Sequence, residues 1–385
     1  MFDALAVASF WVPVGLTLYH WLGFPALLAV SAISRGRGNG PAASSLPSLS
    51  VAVAAHNEES VVAEKIRNCL DLDYPADKLE VLFCSDASDD GTDAILASVH
   101  DPRFRWLRLH QRGGKTAAVN LLIAEAKGEL ILFTDADISL APDAAQRMVE
   151  RFGDPSVGVV QVNYRRVNRD GSVAESIFDR WETAVKTLEG RIGALATANG
   201  MGMMLRKAAC RPIPPDTIHD DLLLGLQPFR LGYAAVYEPR AMASCRIEHE
   251  GVEFRRRVKI GRGNMQALLR DSDLLSPRYG LKALTVFSHK TLRTLLAYML
   301  PLVLVGCALK ASSPLFAVAF GIQVACYTSM PLLLVARGKW RRLLVPQYYL
   351  LMNIALLAGG VSYLFGRREA YWERTPRDSS EVAGR

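Results

Sequence analysis

The chain has 385 residues, with 45 Lys and Arg against 38 Asp and Glu, a formal net charge of +7. Half of the residues are hydrophobic and 22% are charged, which excludes a disordered chain, a collagen-like chain and a small disulfide-stabilised scaffold. The apolar residues are unevenly spread, and this indicates that the two ends of the chain differ in kind from its middle.

The N-terminal region contains no Asp, Glu, Lys or Arg between Ala4 and Ser34. About 20 apolar residues suffice to cross a bilayer, so residues 1–34 are predicted to form a transmembrane helix. A cleaved signal peptide is the alternative, but its basic N-terminal region is missing and the apolar run is too long for it. Residues 35–46, rich in Gly, Pro and Ser, are predicted to be a linker.

In the middle region, short apolar runs alternate with helical patterns. This alternation predicts an α/β domain over residues 47–270, with a mainly parallel sheet covered by helices. The predicted strands are Leu49–Ala55, Leu79–Cys84, Phe104–Leu109 and Leu130–Phe133, and the predicted helices are Val61–Leu72 and Thr116–Lys127.

Apolar runs return near the C-terminus. Residues 294–336 carry a single charge, at Lys310, and are predicted to form two spans joined as a hairpin. Residues 343–366 are also uncharged but are interrupted by a proline and a glycine pair. We therefore predict a membrane region of two to three spans over 294–366, an amphipathic connection over 271–293 and a basic tail over 367–385.

Basic residues flank the predicted spans, which places the middle region in the cytoplasm by the positive-inside rule and predicts a multi-pass protein of the inner (cytoplasmic) membrane. Four full spans would put the basic tail outside, against this rule. Residues 343–366 are therefore predicted to be a re-entrant or interfacial segment, with a full span as the alternative that the sequence leaves open.

The six cysteines form no C-x-x-C pair, which favours free thiols in a reducing compartment. The basic excess lacks interleaved aromatic residues, which favours lipid headgroups or a phosphorylated substrate over nucleic acid.

Carboxylates follow three of the predicted strands: Glu58, Asp86, and Asp135 with Asp137. Open α/β sheets bind ligands beyond the carboxyl ends of their strands, so these side chains are expected to share one site. Each acid taken alone also fits a turn or a helix N-cap, and this reading is preferred for Asp89, Asp90 and Asp143.

The Asp135-Ala136-Asp137 sequence follows a hydrophobic strand and is the candidate site for a cation. Two carboxylates one residue apart can present oxygen atoms to a divalent metal that also keeps waters and ligand phosphates, although such a pair is equally common in plain turns. Lys115, on a glycine-preceded turn that opens a helix, suits a phosphate or a carboxylate partner.

Taken in order, these motifs resemble those of membrane-bound family 2 glycosyltransferases of the GT-A fold, in particular bacterial enzymes of exopolysaccharide synthesis or with lipid acceptors. The resemblance covers roughly residues 47–270 and rests on Ala55-His56-Asn57-Glu58-Glu59, Asp86-x-Ser88-x-Asp90-Gly91-Thr92, Gly114-Lys115-x-x-Ala118-x-Asn120, Thr134-Asp135-Ala136-Asp137 and His219-Asp220-Asp221. It implies a Rossmann-like GT-A domain in the cytoplasm, flanked by transmembrane helices, and inverting transfer from a nucleotide-diphosphate sugar.

The resemblance also implies roles for individual residues. Asp221 would be the general base, with Asp220 as a possible helix cap, and Asp135 and Asp137 would bind Mg2+ or Mn2+. The donor, most simply a UDP-sugar, would contact Ala55, His56, Glu58, Asp86, Lys115, Asp135, Arg256 and Arg257.

One position departs from the family pattern. Processive synthases carry Q-x-x-R-W after the base, whereas this chain has Arg256-Arg257-Val258-Lys259-Ile260, with Ile in place of Trp. We therefore expect transfer of a sugar to a lipid-linked or lipid acceptor in cell-surface polysaccharide or glycolipid synthesis. The alternatives are a processive polysaccharide synthase and an inactive sugar-nucleotide-binding membrane subunit; a basic amphipathic helix on the membrane surface also fits the arginine-rich stretch.

Overall fold

The computed structural model describes residues 2–35, 46–168, 172–196, 198–246, 250–334 and 344–367. Almost all of the predicted linker and basic tail therefore lies outside the described residues. The chain divides into two compact units. The helical unit comprises the described residues within 1–26, 249–271 and 287–368, and the sheet unit comprises those within 27–248 and 272–286.

The described residues form nine strands that belong to one sheet. In chain order these are β1 (Leu49–Ala55), β2 (Leu79–Ser85), β3 (Phe104–Arg108), β4 (Leu130–Phe133), β5 (Ile138–Leu140), β6 (Val157–Val167), β7 (Val173–Ala174), β8 (Met203–Arg206) and β9 (Ala234–Arg246). The four strands predicted from sequence all form, and β1 and β4 have the predicted bounds.

The described residues also form α-helices, which belong in part to the sheet unit and in part to the helical unit. In chain order they are α1 (Phe2–Leu18), α2 (Phe24–Arg35), α3 (Val62–Leu70), α4 (Thr92–Ala97), α5 (Lys115–Glu125), α6 (Ala144–Val149), α7 (Ile177–Arg191), α8 (Asp220–Arg230), α9 (Glu250–Arg270), α10 (Leu281–Thr285), α11 (Leu292–Leu309), α12 (Pro314–Ser329) and α13 (Val345–Leu364). Helices α3 and α5 each end two residues before the predicted end.

The sheet has the strand order β3-β2-β1-β4-β8-β6-β9-β5, with β7 paired to β6. The strands β3, β2, β1 and β4 pair in parallel, and β6 and β9 run in the same direction. The strands β5, β7 and β8 pair antiparallel to their neighbours. Six of the nine described strands thus run in one direction, as predicted for a mainly parallel sheet, but four of the eight pairings are antiparallel, and all four lie on the side of the sheet beyond β4.

The central strands are buried on both faces. Every residue of β4 is buried, and β1 is buried at six of its seven positions. Val51 and Val53 of β1 share a hydrophobic core with Val62 and Ile66 of α3. Such continuous burial is typical of parallel strands covered by helices, and it leaves the loops at the strand ends as the positions where polar side chains remain accessible.

Three helices among the described residues are long and apolar enough to cross a membrane: Asp3–Ser34, Leu281–Leu309 and Pro314–Leu333. The second and third form the predicted hairpin, with the turn beside Lys310. The second helix begins earlier than expected, because residues 281–293, predicted to be a separate connection, continue through a π-helical turn into α11.

Helix α9 was expected to belong to the sheet domain, but it packs in the helical unit against α13. A glycine makes this close approach possible, because a Cβ atom at Gly359 would collide with the carbonyl oxygen of Val258. The glycine pair that suggested a broken segment therefore lies inside a continuous helix, where Gly359 allows close contact with α9 and Gly360 lies against Tyr298 of α11.

Substitution of Gly359 by Ala is expected to lower stability by about 1–3 kcal/mol, because the added methyl group forces the backbones of α9 and α13 apart. Thermal unfolding of the purified protein in detergent measures the effect. Gly321→Ala in α12 is the matched control, because no atom lies within 4 Å of its added Cβ. Equal melting temperatures for the two variants would contradict the packing described for Gly359.

Candidate active site

The loops that follow β1 and β2 are joined by hydrogen bonds. His56 Nδ1 lies 2.7 Å from the carbonyl oxygen of Asp86, and the backbone N–H of Glu58 donates to Thr92 Oγ1 at 2.8 Å. Asn57 has a positive φ of 56° and exchanges two hydrogen bonds with Asp89. The motifs that follow β1 and β2 therefore form one structural element, which lies beyond the carboxyl ends of these parallel strands. Ala55 ends β1 beside this element and is buried.

Asp86 connects this element to the glycine turn before α5. Its two carboxylate oxygens accept hydrogen bonds from the backbone N–H groups of Gly113, at 2.7 Å, and Gly114, at 2.9 Å. Gly114 has a φ of 80°, a left-handed conformation that favours glycine. Because Lys115 follows directly as the first residue of α5, Asp86 fixes the point from which the lysine side chain starts.

The Lys115 ammonium group lies among three carboxylates. Its Nζ atom is 2.8 Å from Asp135 Oδ1, 3.4 Å from Asp220 Oδ2 and 3.3 Å from Asp221 Oδ1. The side chains of Lys115 and Asp220 are 14% and 7% exposed, whereas that of Asp221 is 21% exposed. Acids that are far apart in sequence thus meet at one cation, and Asp221 is the more accessible of the adjacent pair.

The charges of this cluster shift the pKa values of its members. Burial lowers the pKa of Lys115, but the three surrounding carboxylates outweigh burial and raise it well above its usual value. Burial raises the pKa of Asp135 to about 6; Lys115 opposes this rise, and the nearby carboxylates of Asp221 and Asp137 add to it. The site therefore holds more negative charge than Lys115 alone neutralises.

Helix α5 also positions the chain that leads to α8. Thr116 Oγ1 donates to the carbonyl oxygen of Thr217, and Asn120 exchanges two hydrogen bonds with the backbone of Ile213. The N-cap of α8 is His219, so Asp220 is the first residue of the helix and not its cap. These contacts explain how a motif near residue 115 and a motif near residue 220 meet.

The Asp135-Ala136-Asp137 turn is held by groups that the sequence analysis did not identify. The N–H of Asp135 donates to the carbonyl oxygen of Gly200 at 2.9 Å, and a Cβ atom at Gly200 would collide with the Asp135 carboxylate. Lys65 is buried beside the turn. The sequence carried a signal for Lys65, because a lysine between Val62 and Ile66 on the apolar face of a predicted helix is a charged residue at a core position.

Lys65 is deeply buried. Burial lowers its pKa, and its interactions with Cys69 and with the carboxylates of Asp135 and Asp137 act in the opposite direction. The turn that carries the two acids therefore has a second buried lysine side chain near it, in addition to Lys115.

No group of three or more His, Cys, Asp and Glu side chains that could hold a metal ion occurs among the residues that the structure describes. Asp135 and Asp137 nevertheless suit Mg2+ or Mn2+, because hard cations of this kind are commonly held by one or two carboxylates together with waters and substrate phosphates. Asp137 is exposed at the surface of the turn. The donor set fits a metal whose remaining ligands come from a bound diphosphate.

Arg256 and Arg257 lie on α9, in the helical unit, whereas all the residues described above lie in the sheet unit. Arg257 Nε pairs with Glu253 Oε1 at 2.7 Å on the same helix. Their assignment to donor binding stays a prediction.

Comparison with known proteins shows which proteins the sheet unit resembles. Residues 50–210 match the family model described as Glycosyl transferase family 2. Over 191 residues the chain is 36% identical to the beta-monoglucosyldiacylglycerol synthase of Trichormus variabilis, an alignment that covers 46% of this chain and 40% of that protein. Over 234 residues it is 28% identical to the poly-beta-1,6-N-acetyl-D-glucosamine synthase of Staphylococcus epidermidis, covering 58% and 56%. The chain thus spans about half the length of these relatives.

A solved structure shows the same fold. The mannosyltransferase PcManGT from Pyrobaculum calidifontis, solved in complex with GDP-Man and Mn2+, has a TM-score of 0.72 and covers 95% of this chain and 100% of its own, at 23% identity. The fold is GT-A, as predicted, accompanied by apolar helices long enough to span a membrane.

The raised pKa of Asp135 predicts a pH-dependent effect of its removal. The folded state binds the proton more tightly than the unfolded chain, so the resulting stabilisation is present below about pH 4 and is lost as the pH rises through about 6. Asp135→Asn is therefore expected to raise the melting temperature of the donor-free protein at pH 8 but to change it little at pH 4. Asp137→Asn, which removes an exposed carboxylate from the same turn, should have a smaller effect at pH 8. A stabilisation by Asp135→Asn that is larger at pH 4 than at pH 8 would contradict the assignment.

Proposed function

We propose that the chain is an inverting glycosyltransferase that transfers a sugar from a UDP-sugar to a lipid-linked or lipid acceptor. The match of residues 50–210 to the model of family 2 glycosyltransferases supports this proposal. The reaction would occur at the cytoplasmic face of the inner membrane, in the synthesis of a cell-surface polysaccharide or glycolipid. The proposal rests on one observation. Beyond the carboxyl ends of the parallel strands, Lys115 Nζ lies 2.8 Å from Asp135 Oδ1 and 3.3 Å from Asp221 Oδ1.

The proposed donor site begins at the joined loops after β1 and β2. Ala55, His56, Glu58 and Asp86 would line the nucleoside pocket, and Asp86 has acceptor capacity beyond its two bonds to the glycine turn, since a carboxylate offers about four lone-pair sites. The fixed turn then directs Lys115 towards the diphosphate, where an ammonium group offsets phosphate charge.

The charges near Asp135 favour a divalent cation. Four carboxylates, those of Asp135, Asp137, Asp220 and Asp221, and two ammonium groups, those of Lys65 and Lys115, leave two unbalanced negative charges when all six are ionised. Mg2+ or Mn2+ held by Asp135 and Asp137 would supply Lewis-acid stabilisation of the departing diphosphate. Arg256 and Arg257 are proposed to contribute to the same anion.

Asp221 is proposed to take the proton of the acceptor hydroxyl as that oxygen attacks the anomeric carbon. One carboxylate suffices for a single-displacement reaction, and it must be accessible to an acceptor that arrives from solvent or membrane. The greater exposure of Asp221 relative to Asp220 supports this choice. Lys115 contacts both acids, and a bound diphosphate would compete with them for the ammonium group, which would leave Asp221 a stronger base.

The acceptor is proposed to be a lipid because the chain has three helices suited to cross a membrane and resembles a glucosyldiacylglycerol synthase. The resemblance to a poly-N-acetylglucosamine synthase favours a processive synthase as the second candidate. Ile260, in place of the Trp of processive enzymes, argues for transfer of single sugars. The retention of Asp135, Asp137 and Asp221 argues against an inactive subunit.

The test is turnover by the purified full chain in nanodiscs, with radiolabelled UDP-glucose, UDP-galactose or UDP-N-acetylglucosamine and a membrane-lipid extract. We expect one UDP-sugar to label a lipid by a single sugar, with Mg2+ or Mn2+ present and not in excess EDTA. GDP-mannose is the comparison donor. A polymer ladder would favour the processive synthase. Transfer from GDP-mannose alone would refute the assignment of a UDP-sugar as donor, and no transfer under any condition would refute the proposal that the chain is an enzyme.

Asp221→Asn is expected to lower kcat by about 10²–10⁴-fold, the usual contribution of a general base, while UDP binding is retained. Asp220→Asn should cost far less turnover, because the Asp220 carboxylate contacts Lys115 but is more deeply buried than that of Asp221 and so is less accessible to the acceptor hydroxyl. Both variants are measured for turnover and UDP affinity in the same preparation. An inactive Asp220→Asn enzyme beside a nearly normal Asp221→Asn enzyme would show that the base is the other acid.

A further inference from the structure

Lys65 is a buried lysine to which the mechanism above gives no contact with the donor, the acceptor or the metal. Its side chain lies on α3 and is 2% exposed, within a face otherwise formed by Val62, Ile66 and Cys69. Lysine is almost never fully buried unless its ammonium group has partners, because desolvation of an ion is costly. The partners of Lys65 therefore show what the residue does.

Both hydrogen bonds of Lys65 go to the residues that flank the acidic turn. Its Nζ atom donates to Thr134 Oγ1 at 3.0 Å and to the carbonyl oxygen of Ile138 at 2.7 Å. These two acceptors stand immediately before Asp135 and immediately after Asp137. One ammonium group thus connects the two ends of the turn and fixes the distance between them.

The bond to Thr134 also directs the threonine hydroxyl. Because Oγ1 accepts from Lys65, its own proton is free to donate to the carbonyl oxygen of Met201, which lies 3.4 Å away. Met201 follows Gly200, whose carbonyl oxygen accepts from the N–H of Asp135. The turn is therefore held from α3 on one side and from the segment before β8 on the other.

Asn68, one helical turn after Lys65, makes a different contact. It exchanges two hydrogen bonds with the backbone of Leu140, at 2.8 and 2.9 Å, beyond the turn and within β5. Asn68 therefore attaches the same helix to the same segment without contacting the residues next to the acids. This makes it a matched control for Lys65.

We infer that Lys65 is a positioning residue for the metal–diphosphate site: by bonding Thr134 and Ile138 it holds the Asp135 and Asp137 carboxylates in a geometry able to share one divalent cation, and it places a buried positive charge behind them. The inference rests on the proposed function for the identity of the ligand, but the fixing of the turn does not depend on it.

Two consequences separate this role from simple core stability. Loss of Lys65 should loosen the turn itself, which hydrogen exchange at the Ile138 amide reports, since that N–H donates to Asp135 O at 3.3 Å. It should also weaken nucleotide binding in the presence of metal more than binding without it. A residue that only fills the core would change neither quantity selectively.

The experiment compares the full chain with Lys65→Met, Thr134→Val and Asn68→Leu in detergent. Residue-resolved hydrogen exchange over 134–140 is read in the absence of ligand, so that the Ile138 and Leu140 amides are distinguished, and UDP affinity is measured with Mn2+ and with EDTA. We expect Lys65→Met to speed exchange at Ile138 and to weaken Mn2+-dependent UDP binding by about tenfold or more, the worth of one hydrogen bond to a charged group, with UDP affinity in EDTA changed less than about twofold. Thr134→Val, which removes one of the two acceptors, should show the same pattern more weakly.

Asn68→Leu should speed exchange at Leu140 and leave the metal-dependent affinity within about twofold. The inference is overturned if Lys65→Met lowers the melting temperature but behaves like Asn68→Leu in both readouts, or if binding falls equally with and without Mn2+. If Lys65→Met does not fold, Thr134→Val alone decides between these outcomes. Should the unsubstituted protein bind no UDP at all, the proposed function fails, and exchange at Ile138 still decides whether Lys65 fixes the turn.

Discussion

The site depends on one ion cluster, the Lys115 ammonium group with the carboxylates of Asp135, Asp220 and Asp221. Three acids at this distance repel one another, and burial adds to the cost of their charges. The cluster is stable because a lysine stands between them, yet one lysine does not balance three acids. Burial, with the nearby carboxylates of Asp221 and Asp137 adding to it, raises the pKa of Asp135, and the excess of carboxylates leaves the site suited to further positive charge.

The neighbouring structure serves to keep that cluster in place. Asp86 fixes the glycine turn that starts the Lys115 side chain, and Asn120 fixes the backbone at Ile213 that leads to the paired acids. On the other side of Asp135, the backbone of Gly200 and the buried Lys65 hold the acidic turn. Each of these contacts joins segments far apart in sequence, so the charges are positioned by the sheet and its helices and not by any single loop.

Two buried lysines have different relations to the same turn. Lys115 contacts Asp135 directly and would be displaced towards an entering diphosphate, whereas Lys65 bonds to the backbone carbonyl of Ile138 and the hydroxyl of Thr134. The first can change partners when a ligand binds, and the second has no reason to do so. An anion site that must bind and release a product benefits from this division, because mobility of one charge does not loosen the carboxylates.

The local hydrophobic pattern and the order of the motifs were sufficient to predict the strands Leu49–Ala55 and Leu130–Phe133, the apolar helices and the acids that follow the strands. The three-dimensional structure was needed to show that β5, β7 and β8 run opposite to the rest, that α9 packs on α13 at Gly359, and that Lys65 and Gly200 hold the acidic turn. These features depend on contacts between residues that are distant in the chain, namely the direction in which a strand pairs, the close approach of two helix backbones and the partners of a buried lysine. The local sequence pattern therefore cannot predict them.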